Sequence, residues 1–143
     1  MSLLTAAADA ELLVVTWLKA SPLAALLTRP DGEASIYQSM PLGAPLPVVL
    51  AKRIGGAIPR RSDIPYERAR ISFDCRHPTR TGTWEIAGQL IGLLNNLGEL
   101  GGFHDPAVGT LFDCEHLSTR WLPDRESDEP RYIVDGLFTV LAA

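Results

Sequence analysis

The sequence predicts an α+β fold: a single domain over residues 1–143, with a mixed or antiparallel sheet of about five strands and two helices packed on one face. Three observations predict it. Apolar and polar residues alternate strictly from Arg68 to His77, with Ala69, Ile71, Phe73 and Cys75 on one side and Arg68, Arg70, Ser72, Asp74 and Arg76 on the other. From Thr79 to Leu97 the residues Trp84, Ala87, Leu90, Ile91, Leu94 and Leu97 form one apolar stripe at helical spacing. The chain closes on a long apolar strand, Arg131 to Leu141.

Taken in order, Asp9 to about Ala20 is a first amphipathic helix: Leu12, Leu13, Val14, Val15, Trp17 and Leu18 recur at helical spacing, and Asp9 is placed to cap it. Ser21-Pro22 ends it, because the residue before proline avoids helical angles, and Leu23 to Leu27 adds one short turn. Asp31-Gly32 is a turn signal, and Ser35 to Met40 a short strand. The stiff segment PLGAPLP leads into a strand from Val48 to Ile54, expected to be central and to end at Gly55-Gly56. Residues 55–67, with two glycines, two prolines and no period, read as a long protruding loop. The alternating strand and the stripe helix follow, with Gly98 as a natural stop. After the turn at Gly101-Gly102 come a strand from Val108 to about Leu117, the Trp121-Leu122-Pro123-Asp124 element, an acidic loop to Pro130, and the closing strand. The order is helix, strand, strand, strand, helix, strand, strand.

Composition narrows function. The 143 residues are 46% hydrophobic and 21% charged, enough to bury roughly two thirds of the unfolded surface without a disulfide or metal. A net charge of −4 is a poor match to gripping phosphate over the whole surface, so any DNA contact is expected to be local. The opening segment has no cationic stretch, and Asp9, Glu11 and Lys19 interrupt its apolar run, so neither a signal peptide nor a membrane span is expected. Cys75 and Cys114 are expected to be free thiols of a protein assembled in cytoplasm.

The enzyme motifs that carry a mechanism, GxxxxGK[ST], GxGxxG, HExxH and GxSxG, are absent, and the chain is read as no enzyme and as needing no cofactor. One pattern suggests metal chemistry: Cys75-x-His77 and Cys114-x-His116 each place a thiol and an imidazole on one strand face, and two adjacent strands would offer four ligands to a tetrahedral zinc. The competing reading is that both cysteines lie in phase with Phe73 and Phe112 and are small buried residues. The acidic residues Asp124, Glu126, Asp128 and Glu129 read as a solvated loop. Arg60 and Arg61, with Lys52, Arg53, Arg68 and Arg70 on the flanking strands and Ile58, Ile64 and Tyr66 beside them, form a basic, partly apolar surface suited to either a protein interface or a local phosphate contact, of which the interface is favoured. Trp17 and Trp84 read as core, and Trp121 as a half-exposed interface anchor.

The segments DAELLVVTWLKA, LPVVLAKRIGG, ARISFDCRHPTRTGTWEIAGQLIGLL and WLPDRESDEPRYIVDGLFTVLA together resemble tail terminator proteins of actinobacteriophages, within the wider group of small tail-completion and minor tail proteins. The likeness runs from Asp9 to Leu141. It matches Gly55 and Gly56 to the turn after the paired-valine strand, Arg60 to Tyr66 to a variable protruding loop, and Trp121, Pro123, Pro130, Arg131 and Tyr132 to the closing element. His77-Pro78 and the two Cys-x-His pairs depart from that pattern. The resemblance implies a virion protein of the tail and neck that forms a hexameric ring of identical copies. Such a ring caps the tube of major tail protein, stops its polymerisation and docks the head–tail connector or stopper, while genomic double-stranded DNA passes through its lumen. The contact residues it suggests are Arg60, Arg61, Ile64, Tyr66, Arg68, Arg70, Trp121, Asp124, Glu126 and Asp128, basic on one copy and acidic on the next. Alternatives are a head-completion or stopper protein of the same neck and, from another class, a small Cys/His metal-binding regulator.

Overall fold

Nine elements make up the fold in the computed structural model, which describes residues 9–57 and 66–142. They are α1 (Ala10–Lys19), α2 (Ala24–Leu27), β1 (Ile36–Tyr37), β2 (Val48–Ala57), β3 (Tyr66–Arg76), α3 (Arg80–Asn96), β4 (Phe103–Asp105), β5 (Gly109–Trp121) and β6 (Arg131–Ala142). The six strands form one sheet in the order β1-β2-β3-β6-β5-β4, with β1 parallel to β2 and the other neighbours antiparallel. The mixed α+β class follows the sequence reading, but there are six strands and three helices where about five and two were expected.

Several details correct that reading. The strand at Val48 is not central: β3 and β6 hold the middle, and β2 has only the two-residue β1 beyond it. It does not stop at Gly55-Gly56 either. A bulge between Arg53 and Gly55 turns Ile54 outward, and the ladder then resumes opposite Arg70, Ala69 and Arg68. Gly56 makes this possible, because its φ of +119° and its approach to the Arg68 carbonyl leave no room for a Cβ. β4 was not anticipated, since three residues carry too little periodicity to read. β5 runs on to Trp121 through two bulges that break its alternation.

Local chemistry sets the helix starts. Asp9 accepts a hydrogen bond from the Leu12 amide at 3.0 Å, as its position suggested. Thr79 accepts one from the Gly82 amide at 3.0 Å and caps α3. Both helices lie on one face of the sheet, over a core that includes Leu13, Leu18, Ile71, Phe73, Leu90, Leu94, Val134 and Phe138. Phe138 sits at its centre, meeting Trp17 and Phe73 edge-on at centroid distances of 6.0 and 6.2 Å. Gly136 lets α3 approach: a Cβ there would stand 2.9 Å from the Cys114 sulfur and 3.5 Å from Leu94. At the other flank the Glu11 carboxylate of α1 accepts the Arg53 amide at 2.7 Å, satisfying a backbone donor of β2.

Candidate functional site

The helix-free face of the sheet is a lattice of charge. Register places Arg70 beside Leu137 and Glu115, Ser72 beside Asp135 and Ser118, and Arg76 beside Arg131. Arg70 donates to the Asp135 carboxylate at 2.9 Å, and Asp135 is 3% exposed. Arg68 meets Glu115 more loosely, at 3.8 Å, with both side chains well exposed. Arg76 is the hub: it grips both oxygens of Asp74, at 3.0 and 3.1 Å, and reaches Asp124 at 3.3 Å and Glu129 at 3.2 Å. Its guanidinium holds its proton more tightly than usual, chiefly through the bond to Asp74 and against the opposing effect of burial.

A second feature lies at the end of the sheet where α3 begins. The His77 ring packs against Gly82, and its Nδ1 accepts the Thr79 amide at 3.0 Å, fixing the first turn of the helix. That turn sets Arg80, Thr81 and Trp84 against Trp121 and Tyr132, which are register partners on β5 and β6. Trp84 and Trp121 lie 5.2 and 5.0 Å from Tyr132, and the Arg80 guanidinium covers Trp121 at 4.7 Å. Arg80, Thr81, Trp84 and Tyr132 line an open cleft of about 380 Å³. Trp84, expected in the core, is 50% exposed, because Thr83 takes the inward position of that turn. The spacing Thr83, Ile86, Ala87, Leu90, Leu94 and Leu97 fits the buried stripe without Trp84, and this was the signal available in the sequence. Trp121 is 37% exposed, at the half-exposed position expected of it.

Among the other residues singled out from the sequence, Arg60, Arg61 and Ile64 lie outside the described residues. Tyr66 is exposed at the start of β3, while Arg68 and Arg70 stand on the helix-free face. Asp124 shapes its own turn: its carboxylate accepts the amides of Glu126 and Ser127 at 2.9 and 3.2 Å, leaving Glu126 and Asp128 exposed. Those amide bonds, the Ser127 one foremost, and Arg76 and Arg131 nearby hold the Asp124 carboxyl below the usual carboxylate range.

The two Cys-x-His pairs are not brought together. Cys75 is level with Tyr132 and Cys114 with Phe138, six residues apart along β6, which is about 20 Å at strand spacing, far beyond two ligands of one zinc. His77 is engaged with Thr79, and His116 with Thr119 at 2.7 Å. Among the described residues no three of His, Cys, Asp and Glu are placed to share a metal ion. Burial, with Asp74 adding to it, raises the Cys75 thiol far above its ordinary value, and burial with Asp113 pushes Cys114 up to about 12. Among the described residues no helix is long and apolar enough to cross a membrane.

No family model matches the chain, and no curated protein matches it. Among solved structures, a chain described as "Virion of native gene transfer agent (GTA) particle" superposes with a TM-score of 0.66 at 16% identity. The match covers 93% of this chain and 95% of that one. Likeness at that identity establishes a shared fold across nearly the whole of both chains.

Proposed function

We propose that this chain is a structural, non-enzymatic protein of a phage-like virion, of the tail-terminator type. Copies of it form a ring, hexameric by the resemblance, that caps the tail tube and joins it to the head connector, with DNA passing through the lumen. The observation that carries this reading is the near-full-length likeness to a chain of a virion particle, which agrees with the sequence resemblance to tail terminators. The physical chemistry of the surface supports it as well. A ring requires unlike faces that meet head to tail, and the molecule offers a charged helix-free face, an aromatic cleft and acidic and basic segments on one rigid sheet.

In this reading Arg60, Arg61, Ile64 and Tyr66, with Arg68 and Arg70, form one side of the contact between copies. Glu126 and Asp128, the exposed acidic members of their turn, form the other, and Trp121 serves as an apolar anchor. Asp124 contributes by shaping that turn from within. Electron microscopy of the virion neck, with this chain traced in density, tests the assignment. Density between tube and connector is the expected result; density on the head side of that joint reassigns the chain as a stopper, and its absence from the virion ends the reading. Reversing Arg60 and Arg61 to Glu should weaken ring formation, and unchanged oligomer mass with unchanged tail length removes these two residues from the interface.

A further inference from the structure

The segment between β1 and β2 carries the most exposed large apolar side chain among the described residues. Leu42 is 106% exposed, at the tip of a turn closed by the Ala44 amide on the Pro41 carbonyl at 3.1 Å. Gly43 takes the positive φ, +72°, that a turn of this kind needs after its tip residue. A leucine held wholly in water on a stiff, proline-flanked turn gains nothing for the fold of its own chain. The aromatic cleft has the opposite character: Trp84 and Trp121 expose large apolar area around a concave opening with Arg80 on its rim.

The register brings the segment that carries the turn into the sheet at the end where the cleft opens. Val48, where the turn segment enters β2, is in register with Arg76, and Arg76 with Arg131. The next residue of β6, Tyr132, pairs with Trp121 at the cleft. The segment carrying the turn thus joins the β1–β2 flank, and the cleft opens beside β6 and β5, toward the same end of the sheet. In a ring whose axis runs along the strands, the β1–β2 flank of one copy would meet the β5–β6 flank of the next. Charge agrees across such a join. Glu33, exposed just before β1, has no cationic partner among the described residues, and Arg80, exposed on the rim, has no acidic one.

We infer that the Leu42 turn of one copy inserts into the cleft formed by Arg80, Thr81, Trp84 and Tyr132 of a second copy, an arm-in-cleft contact that joins neighbouring subunits head to tail. The contact rests on the ring reading and names the surfaces through which it closes. Insertion buries Leu42 against Trp84 and Tyr132, and Glu33 approaches Arg80 as the flanks meet.

A paired-cysteine variant, Leu42→Cys with Thr81→Cys, tests the geometry under mild oxidation. Both positions are exposed, and the native thiols are poor reactants because burial raises their pKa values. A ladder of covalent multimers on a non-reducing gel, absent for either single variant, is expected; monomer alone overturns the contact. Leu42→Asp, at a position with no fold contacts to lose, should raise the concentration for half-assembly by about tenfold or more in sedimentation, and Trp84→Ala should do the same. If the unmodified chain assembles and these variants assemble equally well, the arm-in-cleft contact is wrong while the ring stands. If the unmodified chain stays monomeric at every concentration, alone and with tail tubes, the ring reading itself fails with it.

Discussion

Along β3 and β6, residues one position apart live under different physics. On the helix-covered face Ile71, Phe73, Val134 and Phe138 are fully buried, whereas on the other face Arg70, Asp74, Arg76 and Arg131 lie in a web of ion pairs. The first face is stabilised by apolar area removed from water, about 25 cal/mol per Å², with no directional demand. The second gains little net energy per pair, because the cost of taking the charges out of water offsets much of their attraction, but each pair fixes where a side chain points. The covered face therefore holds the molecule together, and the bare face specifies a surface.

Substitutions that separate these two contributions should rank accordingly. Phe138→Ala removes the ring that joins Trp17 and Phe73 and should cost about 3–5 kcal/mol in urea unfolding. A loss below about 1 kcal/mol would mean that the covered face is not what stabilises the fold. Gly136→Ala forces a Cβ against the Cys114 sulfur and Leu94 and should cost about 1–3 kcal/mol, measured the same way.

On the bare face, Arg70→Ala strips the cationic partner from the buried Asp135 carboxylate, leaving it only the longer bond from Ser118, and should cost about 1–2 kcal/mol. Arg68→Ala opens an exposed pair and should stay within about 0.5 kcal/mol. Equal losses for the two arginines would erase the distinction between buried and exposed partners. The smallest effect is a pH dependence. The native pKa of Asp124 is lowered, so its contribution is present above the ordinary carboxylate value of about 3.9 and is lost as pH falls through the native value. Asp124→Asn should flatten that part of the acid unfolding profile, and an unchanged profile would show that the turn contributes nothing.

Much of this contrast was legible in the sequence, and the exceptions have physical causes. The alternation from Arg68 onward named the covered and bare sides of β3 correctly, because strand geometry sends successive side chains to opposite faces wherever no bulge intervenes. On β5 the bulges at Phe112 and Leu117 shift the phase twice, so no single alternation describes the strand. The acidic turn was visible as solvated charge, but its main tie is to Arg76, 48 residues away from Asp124 along the chain. The aromatic cleft was half seen: Trp121 stood out beside its proline, while Trp84 was absorbed into an apolar stripe that is complete without it.

The sequence by itself determined the principal helices and strands, where α1 is capped, and which side of β3 is apolar, since these depend on residue spacing over a few turns or pleats. Only the tertiary structure decided that β6 inserts between β3 and β5, that the two cysteines stand far apart on the sheet, and that Arg80, Trp84, Trp121 and Tyr132 meet at one end. Local periodicity is written in neighbouring residues, whereas strand order and cross-strand neighbours arise from pairings between distant segments, whose choice depends on the packing of the whole core.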